Sequence, residues 1–94
     1  MKLYMFIPTE LLGNNLTNFW NHLERKLIQE YPNAYIMSNY TGIGTLEIAD
    51  VVLFLYEYKD NDSCKQEMER CKNLGKMYRT FKKFYVADRL YYPQ

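Results

Sequence analysis

The chain has 94 residues, room for one domain with one core, so its function must be carried by a single sheet and the helices around it. Hydrophobic residues make up 48% and charged residues 24%, the ordinary globular mixture, which excludes a disordered chain and a disulfide scaffold. The formal net charge of +1 argues against general nucleic-acid binding, which draws its affinity from neutralised phosphates.

Lys2 to Ile7 is rich in aromatic and β-prone residues and ends at Pro8, which predicts a buried first strand. Gly13-Asn14-Asn15 is a loop signal. Beyond it Leu16, Phe19, Trp20, Leu23, Leu27 and Tyr31 recur at helical spacing, with Asn15 placed to cap the helix and Pro32 to stop it. His22 falls off that stripe and is expected to be exposed. Ala34 to Met37 reads as a short second strand, followed by a glycine-bearing loop, Ser38 to Gly44, and by a brief helical turn through Leu46 and Ile48 capped by Thr45. Val51 to Tyr56 is continuously apolar, the mark of a strand covered on both faces, and so the centre of a parallel sheet. Ser63-x-x-Gln66 fits a capping box and Gly75 a helix stop, predicting a helix from about Cys64 to Leu74. Met77 to Phe81 follows as a fourth strand. Phe84 to Tyr92 fits a fifth strand or a short helix equally well.

This order predicts an α/β fold: one three-layer domain over residues 1–94, with a short parallel sheet of four or five strands of the Rossmann or flavodoxin-like kind. The first and third strands should be neighbours at its middle. Ligands of such sheets bind beyond the carboxyl ends of the strands, where strand order reverses, which here means Ile7 to Glu10, Ser38 to Gly44 and Tyr56 to Ser63.

No apolar run is long enough to span a membrane, and Met1-Lys2-Leu3-Tyr4 lacks the long apolar stretch of a signal peptide, so the expected location is the cytoplasm, with no membrane partner. The charge is unevenly spread: a net acidic stretch from Glu47 to Lys72 gives way to Lys76, Arg79, Lys82, Lys83 and Arg89 against Asp88 alone. Such a tail suits either an anionic partner or a solvated face. Cys64 and Cys71, seven apart on a helix, would stand about 10 Å apart and cannot bridge each other. With one histidine and no Cys-x-x-Cys, no metal site and no cofactor are expected.

On a helical wheel Met68, Cys71, Leu74 and Gly75 form one stripe, and Glu67 falls inside it while Lys65, Glu69, Arg70 and Lys72 point elsewhere. A carboxylate aimed at the sheet must be paired, hydrogen-bonded or open to a cleft, because burying it alone costs several kcal/mol. Glu67 is therefore either an edge residue paired with a neighbour or a site carboxylate. Ten tyrosines, among them Tyr4, Tyr40, Tyr56 and Tyr58, offer stacking faces and hydroxyls suited to a nucleobase or ribose, and serve equally as core residues with a polar tip.

Lys2 to Pro8, the run Ala49-Asp50-Val-Val-Leu-Phe-Leu-Tyr56, Tyr58, and Ser63 through Glu67 to Leu74-Gly75 together resemble small phage and bacterial proteins related to the nucleoside 2-deoxyribosyltransferases. The resemblance covers less than half of the chain. It implies that Glu67 is a nucleophile attacking the anomeric carbon of a sugar, where a carboxylate also stabilises the oxocarbenium character of the transition state. The expected function is binding of a nucleoside, nucleotide or nucleotide-derived ligand by Pro8, Thr9, Tyr40, Gly42, Tyr56, Tyr58 and Ser63, with Glu67 as the residue that would cleave an N-glycosidic bond if the domain is an enzyme. The alternative is a non-enzymatic phage-type interaction protein that sequesters a signalling nucleotide or inhibits a host protein. Under either reading the short sheet leaves edges that favour a homo-oligomer.

Overall fold

The computed structural model describes residues 1–11 and 16–81; Asn15 and the residues 84–92, for which a cap and a last strand or helix are expected, lie outside them. Four strands, β1 (Lys2–Phe6), β2 (Tyr35–Ser38), β3 (Val51–Leu55) and β4 (Met77–Phe81), form an all-parallel sheet in the order β2-β1-β3-β4. This is the flavodoxin-like 2-1-3-4 order, with β1 and β3 side by side at the centre. Leu3 stands opposite Ile36 on one side and Val51 on the other, and Val52 stands opposite Tyr78.

Alternation along the strands divides the core into two. Leu3, Met5, Ile7, Val51, Leu53, Leu55 and Phe81 pack against α1 (Leu16–Glu30), which contributes Leu16, Phe19, Trp20, Leu23 and Leu27. Tyr4, Phe6, Met37, Val52 and Phe54 face the opposite way, onto Cys64 and Cys71 of α2 (Asp62–Asn73) and onto Leu46 and Ala49 of the 3-10 turn Leu46–Ile48. The result is the expected three-layer α/β/α arrangement. β3 is buried at every position, as its unbroken apolar run requires.

Several local expectations are corrected. The cap of α2 is Asn61, not Ser63: Asn61 Oδ1 accepts from the backbone N–H of Ser63 at 2.8 Å and of Cys64 at 3.4 Å, so the helix begins at Asp62. Thr45 occupies the cap position of its turn with extended backbone but makes no side-chain cap bond. His22 is half-buried rather than exposed, and Leu74, placed on the inward stripe of α2, is 48% exposed because the helix has already ended at Asn73. Gly75 does stop the helix. At φ +67° its N–H donates to Lys72 O at 3.2 Å and Lys76 N–H donates to Cys71 O at 2.8 Å, the paired bonds of a Schellman closure. Among the described residues no helix is long and apolar enough to cross a membrane.

Candidate functional site

β1 leads through α1 to β2 on one side of it, and the chain then crosses to β3 on the other, so strand order reverses between the carboxyl ends of β1 and β3. The segments that meet there are Ile7 with the 3-10 turn Thr9–Leu11, the loop after β2, and the 3-10 turn Tyr56–Tyr58 leading to α2. Two asparagines tie these segments together. Asn39, after β2, takes the Ile7 N–H on its Oδ1 at 2.8 Å and donates through Nδ2 to Ile7 O at 2.7 Å, copying a strand-like pairing with one side chain. Asn61 caps α2 and donates through Nδ2 to Glu10 Oε1 at 2.8 Å, joining the loops after β1 and β3 across the reversal.

The Asn61 side chain thus fills the place that an anion takes at a helix N-terminus, and Glu10 stands directly behind it. The segment from the end of β3 into α2 carries Glu57, Asp60 and Asp62, while the Lys59 ammonium pairs with Asp60 at 3.2 Å and lies 5.2 Å from the centre of the Tyr56 ring.

The predicted ligand residues divide between the two faces of the sheet. Pro8 is buried and Thr9 exposed at the end of β1. Tyr40 leans to the α1 side, with its ring 5.8 Å from that of Trp20 and its hydroxyl 2.9 Å from Thr17 Oγ1. Gly42 sits at φ +72° in the exposed loop, and its N–H donates to Ser38 O at 3.1 Å. Tyr56 is exposed, Tyr58 is partly buried between the two halves of the core, and Ser63 lies half-buried in the first turn of α2.

Glu67 lies on the other face, in the middle of α2 rather than at its start. Cys64, Glu67, Met68 and Cys71 follow the i, i+3, i+4, i+7 spacing and form its inward side, and the Glu67 side chain is 23% exposed. Burial raises the Glu67 carboxyl above the usual glutamate range. Its negative charge reaches two buried neighbours: the Tyr4 hydroxyl and the Cys71 thiol are raised first by their own burial and then by Glu67, with Arg70 opposing in both cases. Arg70 Nη1 stands 3.5 Å from Glu67 Oε1, and Arg70 Nη2 pairs with Glu47 of the Leu46–Ile48 turn. Glu67 is therefore paired with a neighbour at the edge of the inward side, the first of the two sequence readings.

Tyr4 and Phe6 of β1 lie buried in the core beneath α2, and the Arg70–Glu47 pair joins α2 to the Leu46–Ile48 turn at the surface. Gly44, at φ +76°, lies so close over the Met37 thioether that a β-carbon there would overlap it, which closes the outer side of the turn segment onto β2. Sequence reasoning missed Asn39, Asn61 and Glu47. Their signals, a polar residue just past a strand and a cap-type residue two positions before Ser63, are common to many loops.

A cavity of about 220 Å³ lies at the opposite end of the sheet, lined by Met1, Tyr31, Pro32, Asn33 and Ala34. None of the predicted ligand residues lines it. Among the described residues both cysteines are free, and no group of three or more His, Cys, Asp or Glu side chains could hold a metal ion. The fold is a flavodoxin-like parallel α/β domain with a partly buried carboxylate midway along α2. Comparison with protein-family models, curated proteins and solved structures finds no match to the chain.

Proposed function

We propose that this domain binds a nucleoside, nucleotide or nucleotide-derived ligand at the carboxyl edge of the sheet, with Glu67 facing the ligand from α2. The observation that carries the reading is the inward, partly exposed Glu67 carboxylate beside Tyr4, on the helix that starts at the strand-order reversal. The base and sugar find Tyr56, Tyr58 and Thr9 at the edge. Catalysis under this reading is attack by a Glu67 carboxylate oxygen on the anomeric carbon. The N-glycosidic bond breaks, the base leaves with the electron pair and takes a proton from water, and a second nucleophile resolves the resulting ester.

A thermal-shift series with nucleosides, nucleotides and cyclic nucleotides tests binding, because a ligand that binds only the folded form raises its stability. Glu67→Gln tests chemistry: turnover is expected to vanish while the fold stays intact, and undiminished turnover rules out the nucleophile.

The second reading is a non-enzymatic interaction protein of the phage type, acting on a signalling nucleotide or a host protein. It is favoured by the Arg70 contact to Glu67, an arrangement proper to a structural carboxylate, and by the exposed side chains of Ile43, Ile48 and Tyr56. Binding without turnover supports this reading over the first.

A further inference from the structure

We infer that Arg70 is a positioning residue for Glu67, anchored by Glu47 so that its guanidinium orients the Glu67 carboxylate; this rests on the role proposed above for Glu67. The geometry is specific. Arg70 follows Glu67 by three residues on α2, placing the two side chains on adjacent turns, and its planar fork offers Nη1 to Glu67 and Nη2 to Glu47. Glu47 belongs to a different segment, so the guanidinium is held from two directions.

The groups facing Glu67 explain why such a partner is needed. From β1 comes Tyr4, from α2 itself come Cys71 and Arg70, and from the Leu46–Ile48 turn comes Glu47, which reaches Glu67 through Arg70. Arg70 is the one cation in this set. Burial favours the neutral acid, which neither attacks carbon nor stabilises positive charge on a sugar. A guanidinium 3.5 Å from Oε1 offers the carboxylate a charged hydrogen-bonding partner on the same helix. Lysine at this position brings a single ammonium, which cannot offer a separate fork nitrogen to each carboxylate.

The test is a carbon-13 NMR titration of the Glu67 carboxyl, assigned with Glu67→Gln, in the natural protein, Arg70→Gln and Arg70→Lys. Arg70 is 46% exposed, so both variants are expected to fold. The Glu67 midpoint moves to higher pH in Arg70→Gln and lies between the two in Arg70→Lys; an unmoved midpoint in both overturns the inference. A second readout is the pH dependence of the thermal shift given by whichever nucleoside stabilises the protein, whose acid limb moves up with the midpoint in Arg70→Gln. Nucleoside binding with an acid limb unmoved in Arg70→Gln overturns the role of Arg70 alone. Absence of any nucleoside or nucleotide shift removes the proposed function, and the positioning role with it.

Discussion

Replacing Asn39 by alanine removes both bonds that hold the end of β1, and its cost can be worked from the contacts. The Ile7 N–H and carbonyl each lose a partner, at 2.8 and 2.7 Å, and Ile7 itself has no exposed surface. A hydrogen bond contributes about 1 kcal/mol net, and a buried group left unpaired costs about 1–3 kcal/mol. Asn39 is only half-buried, so water can enter its place and relieve part of the loss. The expected destabilisation is about 2–3 kcal/mol, a large share of the roughly 5–15 kcal/mol stability of a domain. In a chain this short it lowers Tm on the order of 10–20 °C. Urea unfolding followed by circular dichroism measures it, as a lower midpoint at unchanged m-value. Asn18→Ala, on the exposed face of α1, is the control and leaves stability unchanged or slightly raised. A loss below about 0.5 kcal/mol for Asn39→Ala refutes the view that this side chain locks the loops at the carboxyl edge.

Three further outcomes follow from the same contacts. Asn61→Ala costs about 1 kcal/mol through loss of the helix cap, whereas Ser63→Ala costs clearly less; equal losses by urea unfolding contradict the assignment of the cap. The Cys64 thiol, pushed up to about 11 by burial and then by Glu10, stays un-ionised near neutral pH. Cys64 and Cys71, both buried, should resist alkylation in the folded protein and react fully in urea, as mass spectrometry would show. For Glu67 the folded pKa lies above the unfolded one, so its contribution to stability is fully present below the ordinary value of 4.5 and is lost as pH rises through the folded value. Glu67→Gln is therefore at least as stable as the natural protein at pH 7 and loses any advantage on acidification. A variant weaker at pH 7 and equal in acid contradicts the sign.

The parts of this fold that could be read from sequence are those fixed by burial. The apolar Val51–Tyr56 run and the Leu16, Phe19, Trp20, Leu23, Leu27, Tyr31 stripe report the burial around them, and the structure has both elements, trimmed at their ends: β3 stops at Leu55 with Tyr56 exposed, and α1 stops at Glu30. The α2 cap is not decided by residue type, because Asn61 and Ser63 are both good cap residues, and only the path of the loop from Tyr58 decides which side-chain oxygen faces the free N–H groups. Glu67 was legible as inward from the helical wheel. Its pairing with Arg70, and through Arg70 with Glu47, depends on where the Leu46–Ile48 turn lands, which no local pattern encodes. Tyr40 shows the opposite limit: its place in the chain put it at the edge, but its ring and hydroxyl belong to the α1 side.

The central proposal is that the ligand meets the carboxyl edge and Glu67, and amide NMR mapping during titration with a stabilising nucleoside or nucleotide tests it most directly. The account predicts shifts concentrated at Thr9, Tyr56, Tyr58, Ser63 and Glu67, spreading to Tyr4 beneath. Shifts clustered at Met1, Tyr31 and Ala34 around the opposite cavity, or none with any such ligand, would contradict it.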